Sequence, residues 1–259
     1  QKSVRANVSD IVAKGASPKG VMLGVVWPCE VTEGQIQAFM TGLADDLGRY
    51  GLSLLGGDTT RHGKVGMPLT VSITMTGISG ARGPVLRSGA TVGDALFVTG
   101  TIGNGWLGLQ AAEKNWPDYP AATETYLRPT PPVALRSLID QFATASLDIS
   151  DGLIADARHL AKASNVTLEI EIDSVPLSVE AQHYLSNGGD LALLLTGGDD
   201  YQVLMSVNTS DTDEFCSLAA AENVKLTRIG QVVGGEGSVS VLNKKGEAVT
   251  LDRSGFSHF

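Results

Sequence analysis

Apolar residues recur along the chain with two periods, and the switches between them mark out its elements. Val8, Ile11 and Val12 fall at helical spacing within residues 6–14, and Gly15 and Pro18 end that run. The stretch VMLGVVWP (21–28) reads as a short buried strand. Thr32 is placed to cap a helix through Arg49, with Ile36, Phe39, Met40, Leu43 and Leu47 on one face. Residues 52–55 form the next strand, expected to close on a Gly56-Gly57-Asp58 turn, and PLTVSITMTG (68–77) alternates as a strand does. Between 82 and 93 Pro84 and several glycines interrupt the pattern, which places a boundary between two domains, 1–90 and 91–259. Beyond it DALFVTGTIG opens a strand and a turn, and RPTPP (128–132) is a stiff loop. Residues 146–163 read as strand, turn and helix, with Leu153, Ala157 and Leu160 as the apolar stripe. VTLEIEI and LALLL read as strands around a helix near 178–185. A helix over 211–223 and the strands VKLTRIGQVV and GSVSVL complete the pattern. Helices and strands alternate in both halves, so the predicted class is α/β or α+β.

Composition narrows the function. The chain has 259 residues, 42% hydrophobic and 18% charged, enough to bury a core in about two domains. No apolar run reaches the ~18 residues of a membrane-spanning helix. A net charge of −9 argues against nucleic acid as partner, since phosphate backbones bind basic surfaces. It leaves open anionic substrates approached through metal cations. Cys29 and Cys216 lie far apart, outside any C-x-x-C, which fits a reducing cytoplasm better than a disulfide framework. The four histidines show no zinc-site spacing. The opening QKSVRANVSD reads as the middle of a helix, so further residues are expected upstream.

Carboxylates carry the candidate chemistry. Asp58, Asp148, Asp151, Asp199 and Asp200 each sit at the end of an apolar run, with Gly or Ser within two residues. Each alone is explained by turn chemistry, in which Asp binds backbone N–H groups. Together they also suit Mg²⁺, a hard cation held by a few carboxylates and by substrate phosphates. The Gly-Gly pair before Asp58 would let backbone N–H groups face phosphate oxygens. No Walker loop is present, and TGTIGNGWLG (99–108) is read as a turn. Trp27, Trp106 and Trp116 are read as packing residues, and Asp45 and Asp46 as solvated.

In order, NVSDIVAKGASP (7–18), LLGGDTTR (54–61), LRSGATVGD (86–94), LDISDGL (147–153) and LTGGDDYQVL (195–204) resemble the thiamine-monophosphate kinases. These are a branch of the superfamily named for aminoimidazole ribonucleotide synthetase. The resemblance runs to the closing GFSHF. It implies a two-domain fold, a homodimer, and transfer of the γ-phosphoryl of ATP to thiamine monophosphate with Mg²⁺. By motif, Asp10, Asp58, Asp148 and Asp151 would hold metal, and Gly57, Asp58, Arg87 and Ser150 would contact ATP. Asp199 would meet the acceptor, although the family usually has GGEDY there and Gln202 replaces a further Glu. Phe256 is a candidate to stack on an aromatic ring of the acceptor, docking of the tail being the other reading. The family also carries, upstream of NVSD, a Gly-Asp-Asp motif and a His that have no counterpart in residues 1–259. The 259 residues alone are therefore expected to be nearly inactive.

The implied chemistry needs no acid–base residue. The acceptor phosphate is mostly dianionic at pH 7, its second pKa being about 6. It is already a nucleophile, and the obstacle is repulsion between polyanions, which cations offset. Two rivals stand beside this reading. A sister synthetase acting on a ribonucleotide would differ in its acceptor profile, and a silent nucleotide-binding domain would bind ATP without turnover.

Overall fold

The computed structural model describes residues 1–114, 116 and 118–251. Val4, Val8 and Val12 recur every fourth residue and line the buried face of α1 (Lys2–Ala13). Gly15, at φ +69°, turns the chain into β1 (Ser17–Trp27). A reciprocal cap starts α2 (Glu33–Tyr50): the Thr32 side chain accepts from the Gln35 N–H, and the Gln35 side chain from the Thr32 N–H. Gly51, at φ +62°, ends it. Then come β2 (Ser53–Arg61) and β3 (Thr70–Ile78), which flank β1 in the order β2-β1-β3. β2 runs parallel to β1, and β3 antiparallel.

The second half contains β4 (Ala95–Thr99), α3 (Asn104–Lys114), α4 (Pro120–Leu127), α5 (Arg136–Phe142), β5 (Ala143–Asp148) and α6 (Leu153–Ser164). It continues with β6 (Thr167–Glu171), α7 (Val179–Ser186), α8 (Leu191–Thr196), β7 (Val203–Val207), α9 (Thr212–Ala221), β8 (Leu226–Val233) and β9 (Ser238–Leu242). Its sheet has the order β5-β7-β4-β8-β6-β9. Each sheet draws its strands from one side of the 82–93 loop. One apolar core joins the two halves, with Val8, Leu23 and Trp27 packed alongside Phe97, Met205 and Phe215. A second core, built on Leu147, Leu153, Leu160, Leu168 and Ile229, seats α6. Among the described residues no helix is long and apolar enough to cross a membrane.

Three expectations are corrected. Gly56-Gly57-Asp58 is not a turn, because β2 continues through it to Arg61. Gly57 pairs with Leu23, and a Cβ on it would lie 1.9 Å from the Leu23 carbonyl oxygen, so glycine is what the close approach demands. The register slips between Val21 and Met22, whose partners are Leu54 and Gly56, so Leu55 is an extra residue in the edge strand. LALLL is helix α8, not a strand. A short all-apolar run carries no period to decide between the two, and the Asp190 carboxylate decides it by accepting the Ala192 N–H. Asp46 is not solvated: it is 0% exposed and ion-paired with Arg5, itself 5% exposed, at 2.8 Å.

Candidate active site

The site gathers around the end of β5. Asp148 closes that strand, 7% exposed, and the chain turns there into the loop that precedes α6. Two loops are zipped together beyond it. The Ile149 N–H donates to the Gln202 carbonyl at 2.7 Å, the Tyr201 N–H to the Ile149 carbonyl at 2.8 Å, and the Asp199 N–H to the Ser150 carbonyl at 2.9 Å. Asp156, in the first turn of α6, accepts the N–H groups of Ser150 and Asp151 through one oxygen, both at 2.9 Å. Asp200 accepts the N–H groups of Gly103 and Gly105 at 2.8 and 2.9 Å. The stretch 99–108, read as a turn, is a turn only as far as Gly103 and then enters α3, and the buried Asp200 carboxylate pins that helix start to the second loop. Asp156 and Asp200 therefore do the turn work that sequence alone allowed for any of these aspartates.

From α1, Asp10 and Lys14, four residues apart on one helical face, reach the same place. Burial and the charge of Asp10 push the Asp148 carboxyl up to about 6, against the pull of the Ser9 hydroxyl and of Lys14. Lys14 donates to the Ser146 carbonyl at 3.1 Å. Its pKa is lowered, by burial first and then by Arg87, while Asp148 and Asp10 raise it. Asp10, Asp148, Lys14 and Arg87 thus share one electrostatic neighbourhood. Beside it, single ligand atoms of Asp151, Asp156 and His159 lie within 4.8 Å of one another. Burial pushes Asp156 up to about 7, with Asp151 and Asp148 adding to the rise. Burial likewise takes Asp200 to about 7.

The predicted residues do not all converge. Asp10, Asp148, Asp151, Ser150 and Asp199 belong to the zipped loops or to the face of α1 against them. Arg87 acts on Lys14 from an exposed position. Gly57 and Asp58 lie on the exposed edge strand, and no hydrogen bond or ion pair among the described residues joins them to the group. Phe256 lies outside the described residues. Ser9, Lys14, Asp156 and His159 escaped the sequence reading. Asp156 and His159, three apart in a predicted helix that follows two aspartates, were the signal available for the last pair.

The donor set fits divalent cations. A buried carboxylate, Asp148, set against the negative charge of Asp10, and three ligand atoms within 4.8 Å, are what a cation relieves and binds.

The mixed α/β fold, with its carboxylates gathered at the end of β5, is that of the AIR synthase related superfamily. The model described as "AIR synthase related protein, N-terminal domain" matches residues 1–79, and its C-terminal counterpart matches residues 91–243. A curated relative, the thiamine-monophosphate kinase of Caulobacter vibrioides, is 40% identical over 264 residues, covering 100% of this chain and 73% of the relative. The crystal structure of thiamine-monophosphate kinase from Stenotrophomonas maltophilia K279a superimposes with a TM-score of 0.85 at 34% identity, covering 96% of this chain and 78% of that one. AaThiL complexed with AMPPCP and TMP also gives 0.85, at 32% identity, covering 100% of this chain and 81% of that one. The chain belongs to the thiamine-monophosphate kinase family.

Proposed function

We propose that the protein transfers the γ-phosphoryl group of ATP to the phosphate of thiamine monophosphate, giving thiamine diphosphate. The observation that carries this is the meeting of Asp10 and Asp148 beside Lys14 and Arg87 at the end of β5, within a chain of this family. Asp10, Asp148 and Asp151, with Asp58 from β2, would hold Mg²⁺. When bound, the ions supply positive charge that offsets repulsion between the two polyanions. Arg87 and Lys14 add fixed positive charge on the same side. Gly57, Asp58 and Ser150 would face the nucleotide, and Asp199 and Phe256 the acceptor. The zipped loops hold Ser150 and Asp199 in fixed relation, so acceptor and donor are oriented before reaction. No side chain is needed to take a proton from a phosphate that is already ionised.

The protein acts in this reading as a homodimer, in two domains meeting near residue 90, in a reducing cytoplasm. β2 is exposed along all nine residues, and Met22, Leu54 and Leu55 present apolar surface there. Such an edge invites pairing with a second copy. Cys29 and Cys216 are both free thiols.

The test is turnover of the full-length protein with ATP, Mg²⁺ and thiamine monophosphate, with the product identified by mass. Thiamine diphosphate formed only with divalent cation supports the reading. ATP binding with no product, or undiminished turnover after thorough chelation, overturns it.

A further inference from the structure

Asp199 stands on backbone that does not favour it. Its φ is +71° and that of Tyr201 is +51°, both in the left-handed region that side chains with a Cβ rarely enter. The segment has no room to relax inward, because a Cβ on Gly105 would lie 2.3 Å from the Asp199 carbonyl carbon. Other groups hold the carboxylate itself. The Tyr201 hydroxyl donates to Asp199 Oδ1 at 2.8 Å, and Lys2 Nζ lies 3.2 Å from that same oxygen. The Lys2 ammonium is held in turn, 3.3 Å from the centre of the Tyr126 ring. The side chains of Lys2 and Asp199 are 29% and 31% exposed, so solvent screens the pair only in part. Three segments far apart in sequence are thus linked in series, the end of α4 to Lys2 in the first turn of α1, and Lys2 to Asp199 in the loop after α8. Oδ2 takes part in neither contact.

We propose that Lys2 and Tyr126 are positioning residues for the phosphate acceptor: Tyr126 seats Lys2, and Lys2 fixes Asp199 through Oδ1 so that Oδ2 is presented to the acceptor in one orientation. The proposal rests on the reading of Asp199 as an acceptor contact. Its physical content is pre-organisation. A carboxylate on a strained loop would otherwise sample several rotamers, and ordering it on binding would weaken the acceptor complex. Burial lowers the pKa of Lys2, and Asp199 works against that fall.

Two pairs of substitutions test the arrangement in the full-length protein. Lys2→Met and Tyr126→Leu are each expected to raise the KM for thiamine monophosphate about tenfold, with the KM for ATP and kcat within twofold. Lys2→Arg and Tyr126→Phe are expected to stay near wild type, since a guanidinium also bridges a ring and a carboxylate and the lock does not use the Tyr126 hydroxyl. Amide hydrogen exchange at residues 199–201 is expected to quicken in Lys2→Met without ligand. An unchanged acceptor KM in Lys2→Met overturns the proposal. So does a parallel rise in both KM values together with a lowered melting temperature, which marks a merely structural role. Should the wild type turn over no thiamine monophosphate at all, the functional reading falls by itself. The exchange rates still decide the lock: faster exchange in Lys2→Met upholds it, and unaltered exchange overturns it.

Discussion

Asp148 and Asp156 sit eight residues apart and divide two tasks that look alike on paper. Asp148 ends a strand beside Asp10, while Asp156 spends one oxygen on two backbone N–H groups. Asp148→Asn and Asp151→Asn are therefore expected to lower turnover by orders of magnitude while the melting temperature stays within a few degrees. The change is nearly isosteric and removes only charge. Loss of thermal stability with retained specific activity would instead assign both residues to turn structure. Asp156 and Asp200 make a different prediction. Their folded pKa values, about 7, lie above the ordinary ~3.9 of an unfolded Asp. Folding then takes up protons, and the stability linked to each is present below pH ~4 and lost as pH rises through about 7. In chelator the folding stability should fall between pH 5.5 and 8, by roughly 2 kcal/mol per carboxyl, and the melting temperature should fall with it. Asp156→Asn should flatten this slope, since its amide oxygen still accepts both N–H groups. An unaltered slope would show that the carboxyl does not titrate there.

At the scale of elements, α1 is tied down by an ion pair. Arg5 donates to both oxygens of Asp46 on α2 and to the carbonyls of Arg128 and Pro129. The guanidinium thus fastens one helix to another and to the stiff RPTPP loop. Removing one buried partner typically costs about 3–5 kcal/mol, because the other charge stays buried and unpaired, whereas an apolar pair of similar volume is far better tolerated. Asp46→Ala is expected to lower the melting temperature by roughly 10 °C, and Arg5→Met with Asp46→Leu to recover much of that loss. Equal losses in the single and double variants would deny the pair any coupling. The elements themselves were legible wherever a period was long enough. The Thr32 cap and the stripe from Ile36 to Leu47 announced α2, and Leu153, Ala157 and Leu160 announced α6. The failures share a cause, which is that distant partners decided them. Leu191–Leu195 is apolar throughout, so its state depended on a capping Asp. The glycines before Asp58 look like a hinge until Leu23 is placed against them. Asp46 occupies a polar-looking position whose cation lies 41 residues away. In the site, the motif aspartates stood out, while Ser9, Lys14 and Lys2 did not, since a helix side chain near the start of the chain names no partner.

For the molecule as a whole, the exposed edge is the feature with the plainest consequence. Leu55 is 61% exposed and Leu54 48%, on a strand that among the described residues has no neighbour on its outer side. If a second copy covers it, Leu55→Glu should convert a dimer to monomers in analytical ultracentrifugation, with the secondary structure unchanged by circular dichroism. A wild type that sediments as a monomer at micromolar concentration would remove that assignment.

The helix α1 carries Lys2 at one end and Asp10 eight residues on, with Arg5 bolting it down between them. At 1.5 Å per residue the two positions are separated by roughly 12 Å along its axis. That separation is set by covalent geometry and main-chain hydrogen bonds, so sliding of one packed layer over another does not stretch it. Asp199, which Lys2 contacts, and Asp148, which faces the charge of Asp10, are therefore approached from one helix at a spacing that its own backbone fixes.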